Sequence, residues 1–137
     1  MNLLNLFKHI FERTILREEK NSEFLQVIPT IKIYEKITAV PEPEGKMEFT
    51  LTFGNGKISI TPYKTPDYQA EYVAPLKTYL DLLQGKISTH DLKSSLKIRR
   101  KIGGVNIDRV LNLLKSSVQQ DNEIQSLLSQ YREKYNI

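Results

Sequence analysis

Residues 47–60 read Met-Glu-Phe-Thr-Leu-Thr-Phe-Gly-Asn-Gly-Lys-Ile-Ser-Ile, and few folds accept that run. Met47, Phe49, Leu51 and Phe53 share one side of an extended chain, with Glu48, Thr50 and Thr52 on the other, because successive side chains of a strand point to opposite faces. Gly54-Asn-Gly56 suits a tight hairpin turn, after which Ile58 and Ile60 resume the alternation. The run predicts two antiparallel strands with one dry face, and that face needs a cover.

The same period of two occurs in three other places. Ile31, Ile33, Glu35 and Ile37 alternate with Lys32, Tyr34, Lys36 and Thr38, and a Pro- and Gly-containing connection, residues 41–45, separates them from the hairpin. Tyr68, Ala70 and Tyr72 suggest a weaker fourth strand, and Leu96, Ile98, Arg100 and Ile102 a fifth. Elsewhere the period is helical. Leu3, Leu4, Leu6, Phe7, Ile10, Phe11 and later Leu16 recur at three- and four-residue steps and predict an amphipathic helix over residues 2–19, with a further helical turn near residues 24–27. Pro75, Leu76, Tyr79, Leu80 and Leu83 predict a helix that Gly85 terminates, and a short helix at Ser88-Thr-His-Asp91 is expected after it. Val105, Ile107, Val110, Leu111 and Leu114 mark another helix, and Ile124, Leu127, Leu128, Tyr131 and Tyr135 a last one over residues 118–135.

These elements predict an α+β fold: a five-stranded, twisted, mostly antiparallel sheet with every helix on one face and the other face wet. A chain of 137 residues without an internal repeat is read as one domain. The absence of cysteine excludes disulfides, thiolate nucleophiles and Cys-containing zinc sites. The first helix is broken by Asn5, Lys8 and His9 and is not read as a signal peptide, and no apolar run is long enough to span a bilayer. A soluble, cytoplasmic protein is the expectation.

Catalysis finds little to work with. His90 and Asp91 are adjacent and do not face each other on a helix, and His9 is the only other histidine, so no enzymatic activity, metal or cofactor is expected. The net charge of +4 is unevenly spread: residues 86–115 hold eight basic residues against two acidic, a net of +6. Such a zone attracts phosphate groups. With Tyr63, Tyr68 and Tyr72 as stacking platforms it would suit nucleic acid, but no nucleic-acid motif accompanies it and that reading ranks last.

In element order and local wording, residues 24–114 resemble the sterol carrier protein type 2 domain. The resemblance is carried by Phe49-Thr-Leu-Thr-Phe-Gly-Asn-Gly56 with Ile58-Ser-Ile60, by Leu80-Asp-Leu-Leu-Gln-Gly-Lys86, by Leu96-Lys-Ile98, and by a glycine followed by a helix with Leu111 and Leu114. It implies a sheet with helices on one face and an apolar cavity between them, which binds a lipid, fatty acid, acyl-coenzyme A or sterol-like molecule. The N-terminal helix (residues 1–20) and the C-terminal helix (118–135) are additions to this region. The residues then expected to line the ligand are Met47, Phe49, Leu51, Phe53, Ile58, Ile60, Leu80, Leu83, Ile98, Arg100, Leu111 and Leu114. Arg100 stands out, since alternation turns it inward with Ile98, where its charge requires a carboxylate such as Glu35, a ligand, or the sheet edge. The competing reading is a protein-interaction or homodimerisation module with a closed core. The first helix is expected to pack on the sheet or on a second copy, with transient membrane contact as the lesser reading.

Overall fold

The computed structural model describes residues 2–16, 30–54, 57–87, 96–98 and 104–137; for 14–16, 57, 96–98, 104–108 and 110 it describes the backbone alone. The alternating segments form β1 (Ile31–Thr38), β2 (Met47–Gly54), β3 (Lys57–Thr61), β4 (Ala70–Pro75) and β5 (Leu96–Ile98). The helical periods form α1 (Leu3–Leu16), α2 (Leu76–Leu83), α3 (Gly104–Gln120) and α4 (Asn122–Tyr135). The strand order is β3-β2-β1-β4-β5.

The expected sheet is refined in two respects. Its centre is a parallel pair, β1 with β4, flanked by antiparallel pairings, so the sheet is mixed. Its body is four strands, to which β5 adds a three-residue edge. Alternation reports which face a residue occupies and is silent on which strand lies beside it.

The parallel pair has a second consequence. To reach β4 from β3, residues 62–69 must pass β2 and β1, a lateral distance of roughly 14 Å at three inter-strand spacings. The helices occupy one face, and the connection crosses the other. Thr50 Oγ1, fully buried, donates to the Tyr63 carbonyl at 2.8 Å and accepts from Thr65 N at 3.2 Å, stitching the connection to the sheet. Tyr34 and Tyr68 pack at 5.5 Å between ring centroids under Lys64, whose Nζ lies 5.0 Å from the Tyr34 ring, while Lys32 pairs with Asp67 at 2.8 Å. The face expected to be wet is therefore partly covered. Tyr34 donates to Glu48 at 2.5 Å, and burial, together with that carboxylate, pushes its phenol well above the ordinary value.

On the helical face, Leu3, Leu6, Phe7, Ile10 and Phe11 of α1 are all buried. Asn2 accepts from Asn5 N at 2.8 Å and caps the helix, and Arg13 near its end pairs with Asp121 at 3.0 Å and Glu123 at 2.6 Å. Among the described residues, these five side chains of the apolar stripe of α1 are spent on the chain's own core. The C-terminal helix begins at Asn122 and not at residue 118, because Asp121 accepts from Glu123 N and Ile124 N and starts a new helix there. The additional helical turns expected at residues 24–27 and 88–91 fall outside the described residues, as do Asn55 and Gly56 of the hairpin.

Gly85 ends α2 as expected. Its φ is 75°, Gly85 N donates to the Leu82 carbonyl at 3.0 Å, and Lys86 N donates to the Asp81 carbonyl at 2.8 Å. Alanine at this position would hold a strained backbone and bring a Cβ within 3.2 Å of the Gln119 side chain. Gly85→Ala is expected to lower stability by about 1–2 kcal/mol, read from the urea midpoint.

Candidate functional site

The space between sheet and helices is where a ligand would have to lie, and its contents follow from three features of the chain. First, alternation along β1 turns Ile31, Ile33, Glu35 and Ile37 toward the helices. Second, the pairings place Phe49 and Tyr72 directly beside Glu35, one on each side. Third, Pro75 ends β4 in an extended conformation (φ −63°, ψ 150°) and passes without a loop into α2, so that Tyr79 stands over Tyr72 with ring centroids 5.7 Å apart. Phe7 of α1 completes the group, 5.2 Å from Tyr79 and 5.7 Å from Phe49. The result is a carboxyl set among four aromatic rings.

Glu35 is 1% exposed, and its Oε2 has no hydrogen-bond partner; the same is true of the Tyr72 hydroxyl. A charged carboxylate in such surroundings is costly, and burial pushes the Glu35 carboxyl well above the ordinary value of 4.5, favouring its protonated form. Burial and then the nearby Glu35 push the Tyr72 phenol upward too, and the Tyr79 phenol is raised by burial first, then by Glu35 and Tyr72. Each shift favours the neutral form, so these are hydrogen-bonding groups inside an apolar layer that resists their ionisation.

The residues expected to line a ligand occupy that layer to differing degrees. Phe49, Leu51, Phe53, Ile58, Leu80, Leu83 and Leu114 belong to one buried cluster, and Met47, Ile60 and Leu111 pack against its border half-exposed. For Ile98 only the backbone is described, opposite Ala70, and Arg100 lies outside the described residues. The stacking trio proposed for nucleic acid is not assembled: Tyr72 is buried in the helical face, Tyr68 is buried on the opposite one, and Tyr63 alone is exposed, at 59%. Tyr72, Tyr79 and Phe7 were not among the expected ligand residues. The sequence does signal Glu35, as a charge at an inward position of an otherwise isoleucine-lined strand, but alternation alone points to Arg100 as its partner and not to Tyr72.

A concavity of about 360 Å³ opens at the surface between the end of α2 and the end of α4. On its wall Arg132 pairs with Asp81 and donates to Gln84, both at 2.8 Å. Walls made mostly of polar and charged side chains suit it poorly to an apolar guest. Among the described residues no cluster of acidic or histidine side chains could hold a metal, and no helix is long and apolar enough to cross a membrane.

No family model matches the sequence, and no curated protein matches it by sequence. Solved structures do match. The sterol carrier protein domain 2 of Helicoverpa armigera superposes with a TM-score of 0.59 over 85% of this chain and 88% of its own, at 15% identity. A crystal structure of sterol carrier protein 2 gives 0.58 over 83% and 94%, at 10% identity. The chain has the sterol carrier protein 2 fold. A ubiquinone synthesis protein described as UbiJ-SCP2 shares it, with a TM-score of 0.53 over 87% of this chain and 93% of its own at 11% identity. In this sterol carrier fold, β1 is the central strand, and Glu35 therefore lies in the middle of the helix-covered face.

Proposed function

We propose that this chain binds an apolar, lipid-like molecule between the sheet and the helices and acts as a holder, not a catalyst. The observation that carries the reading is the fold, shared across more than four fifths of the chain with proteins described as sterol carriers. The chemistry of the layer supports it. A guest placed there would meet aromatic and aliphatic walls, and each methylene it buried would contribute roughly 0.8 kcal/mol, so a long chain reaches useful affinity with few polar contacts.

Phe7 and Phe11 occupy that layer in this structure, stacked at 5.8 Å. The guest would take their place against Phe49 and Tyr79, with α1 shifting outward as a movable wall. A closed core is the competing outcome, and one experiment separates the two. Native mass spectrometry of the purified protein is expected to reveal a co-purifying acyl or isoprenoid lipid, and a fluorescent lipid is expected to bind and be displaced by unlabelled competitors. No bound lipid and no displacement across lipid classes would overturn the proposal.

A further inference from the structure

Glu35 and Tyr72 are neighbours across the central parallel pair, on the same face, each with a buried oxygen that nothing satisfies. Such groups are rare in folded proteins, where buried polar atoms are nearly always paired. Two of them at adjacent register positions, facing the layer in which a guest is placed, form a polar point in an otherwise apolar enclosure. The nearest other walls are Phe49, Tyr79 and Phe7, and none of these offers a countercharge. We propose that Glu35 and Tyr72 bind the headgroup of the guest, and that the headgroup is a single uncharged oxygen, a hydroxyl or a carbonyl, at the end of an apolar body.

The inference rests on the lipid-holding reading and narrows it. A protonated carboxyl and a phenol each donate one hydrogen bond and can accept another. A carbonyl oxygen takes a hydrogen bond from both. A hydroxyl accepts from one and donates to the other. A carboxylate headgroup would bring a second acid to a buried one with no cation beside them, which disfavours a free fatty-acid anion. A quaternary ammonium would enjoy the rings, but it requires Glu35 ionised in a site that resists ionisation.

The test uses five probes that share a twelve-carbon chain, dodecan-1-ol, dodecan-2-one, dodecane, dodecanoate and dodecyltrimethylammonium, each competing with a fluorescent lipid for the full chain at pH 7. The alcohol and the ketone are expected to bind about tenfold more tightly than the hydrocarbon, the effect of one to two net hydrogen bonds. Tyr72→Phe, which removes one oxygen and keeps the ring, is expected to cut that preference severalfold while leaving dodecane unchanged. Glu35→Leu is expected to abolish it, and Glu35→Gln to retain most of it. Equal binding of all probes, or a preference for dodecanoate or the ammonium, would overturn the headgroup assignment while leaving the holder intact. Failure of every probe to displace the fluorescent lipid would overturn both. If Glu35→Leu does not fold, Tyr72→Phe alone decides, since loss of a hydroxyl without a partner leaves packing in place.

Discussion

Phe7→Ala is expected to destabilise the protein by about 3–5 kcal/mol, the usual cost of removing a fully buried phenylalanine. The ring is the hub of the layer, in contact with Phe11, Phe49 and Tyr79 at centroid distances between 5.2 and 5.8 Å. Its loss leaves a void walled by aromatic carbon, and voids of that kind stay dry and accept apolar guests. Urea denaturation would give the stability. Benzene or xenon binding, seen as a rise in melting temperature with ligand concentration, would report the void. Phe7→Leu, expected to fold at a smaller cost, carries the functional half of the prediction: it should tighten binding of a fluorescent fatty alcohol, because the side chain a guest must displace is smaller. Loss of stability with unchanged or weaker lipid binding would place the guest elsewhere.

Glu35→Leu is expected to work in the opposite direction and stabilise the fold by about 1–3 kcal/mol at pH 7, since it removes a buried, unpartnered acid from an apolar layer. The accompanying pH dependence is more diagnostic. Above pH 4.5 the unfolded chain has released the Glu35 proton while the folded chain retains it, so the folded state binds more protons. The stability associated with this group is fully present below pH 4.5 and is lost as pH climbs toward the raised folded value, at up to about 1.4 kcal/mol per pH unit. Tyr72 and Tyr79, the titratable groups that face it, are held above their ordinary value of 10 and do not contribute between pH 5 and 8. Urea midpoints measured at pH 5, 6, 7 and 8 should fall with pH more steeply for the wild type than for Glu35→Leu or Glu35→Gln. Parallel slopes for all three would mean that Glu35 is ionised in the folded protein.

A natural protein that keeps such an acid sacrifices stability at that position, and function is the usual reason. This is also where the sequence was both informative and incomplete. The run Ile31, Ile33, Glu35, Ile37 shows a charge on a dry face without any structure. What it could not show is that Tyr72 sits beside Glu35, because Tyr72 lies in β4, and the adjacency of β1 and β4 depends on a crossing connection that no periodicity encodes. The same connection explains why Thr50 and Tyr34, at polar-face positions of their strands, are buried. The dry faces of β1 and β2, the stripe of α1, and the stop at Gly85 were all legible, since each follows from local chemistry. The break between α3 and α4 was locally encoded as well: Asp121 is a good capping residue with Glu123 in the first turn after it, a signal masked by the apolar period that continues from Val118 to Ile124.

The competing functional readings divide along the same lines. Charge alone suggested nucleic acid, yet two of the three tyrosines it relied on are committed to packing. Composition alone could not distinguish a filled core from a holder, and the aromatic hub around Phe7 is compatible with each. The unpartnered oxygens of Glu35 and Tyr72 tip the balance, because a core with no guest to accommodate gains nothing from them.

The central claim, a guest between sheet and helices with its polar end at Glu35, is tested most directly by intermolecular nuclear Overhauser effects. The measurement uses the full chain, labelled at isoleucine and leucine methyls, with unlabelled dodecan-1-ol. Contacts from the alkyl protons to Ile33, Ile37, Leu51 and Leu80 are predicted, with the carbinol protons nearest Ile33 and Ile37, which flank Glu35 on β1. Contacts confined to Ile137 and the surface groove beside Arg132, with none to the methyls of the sheet, would contradict it.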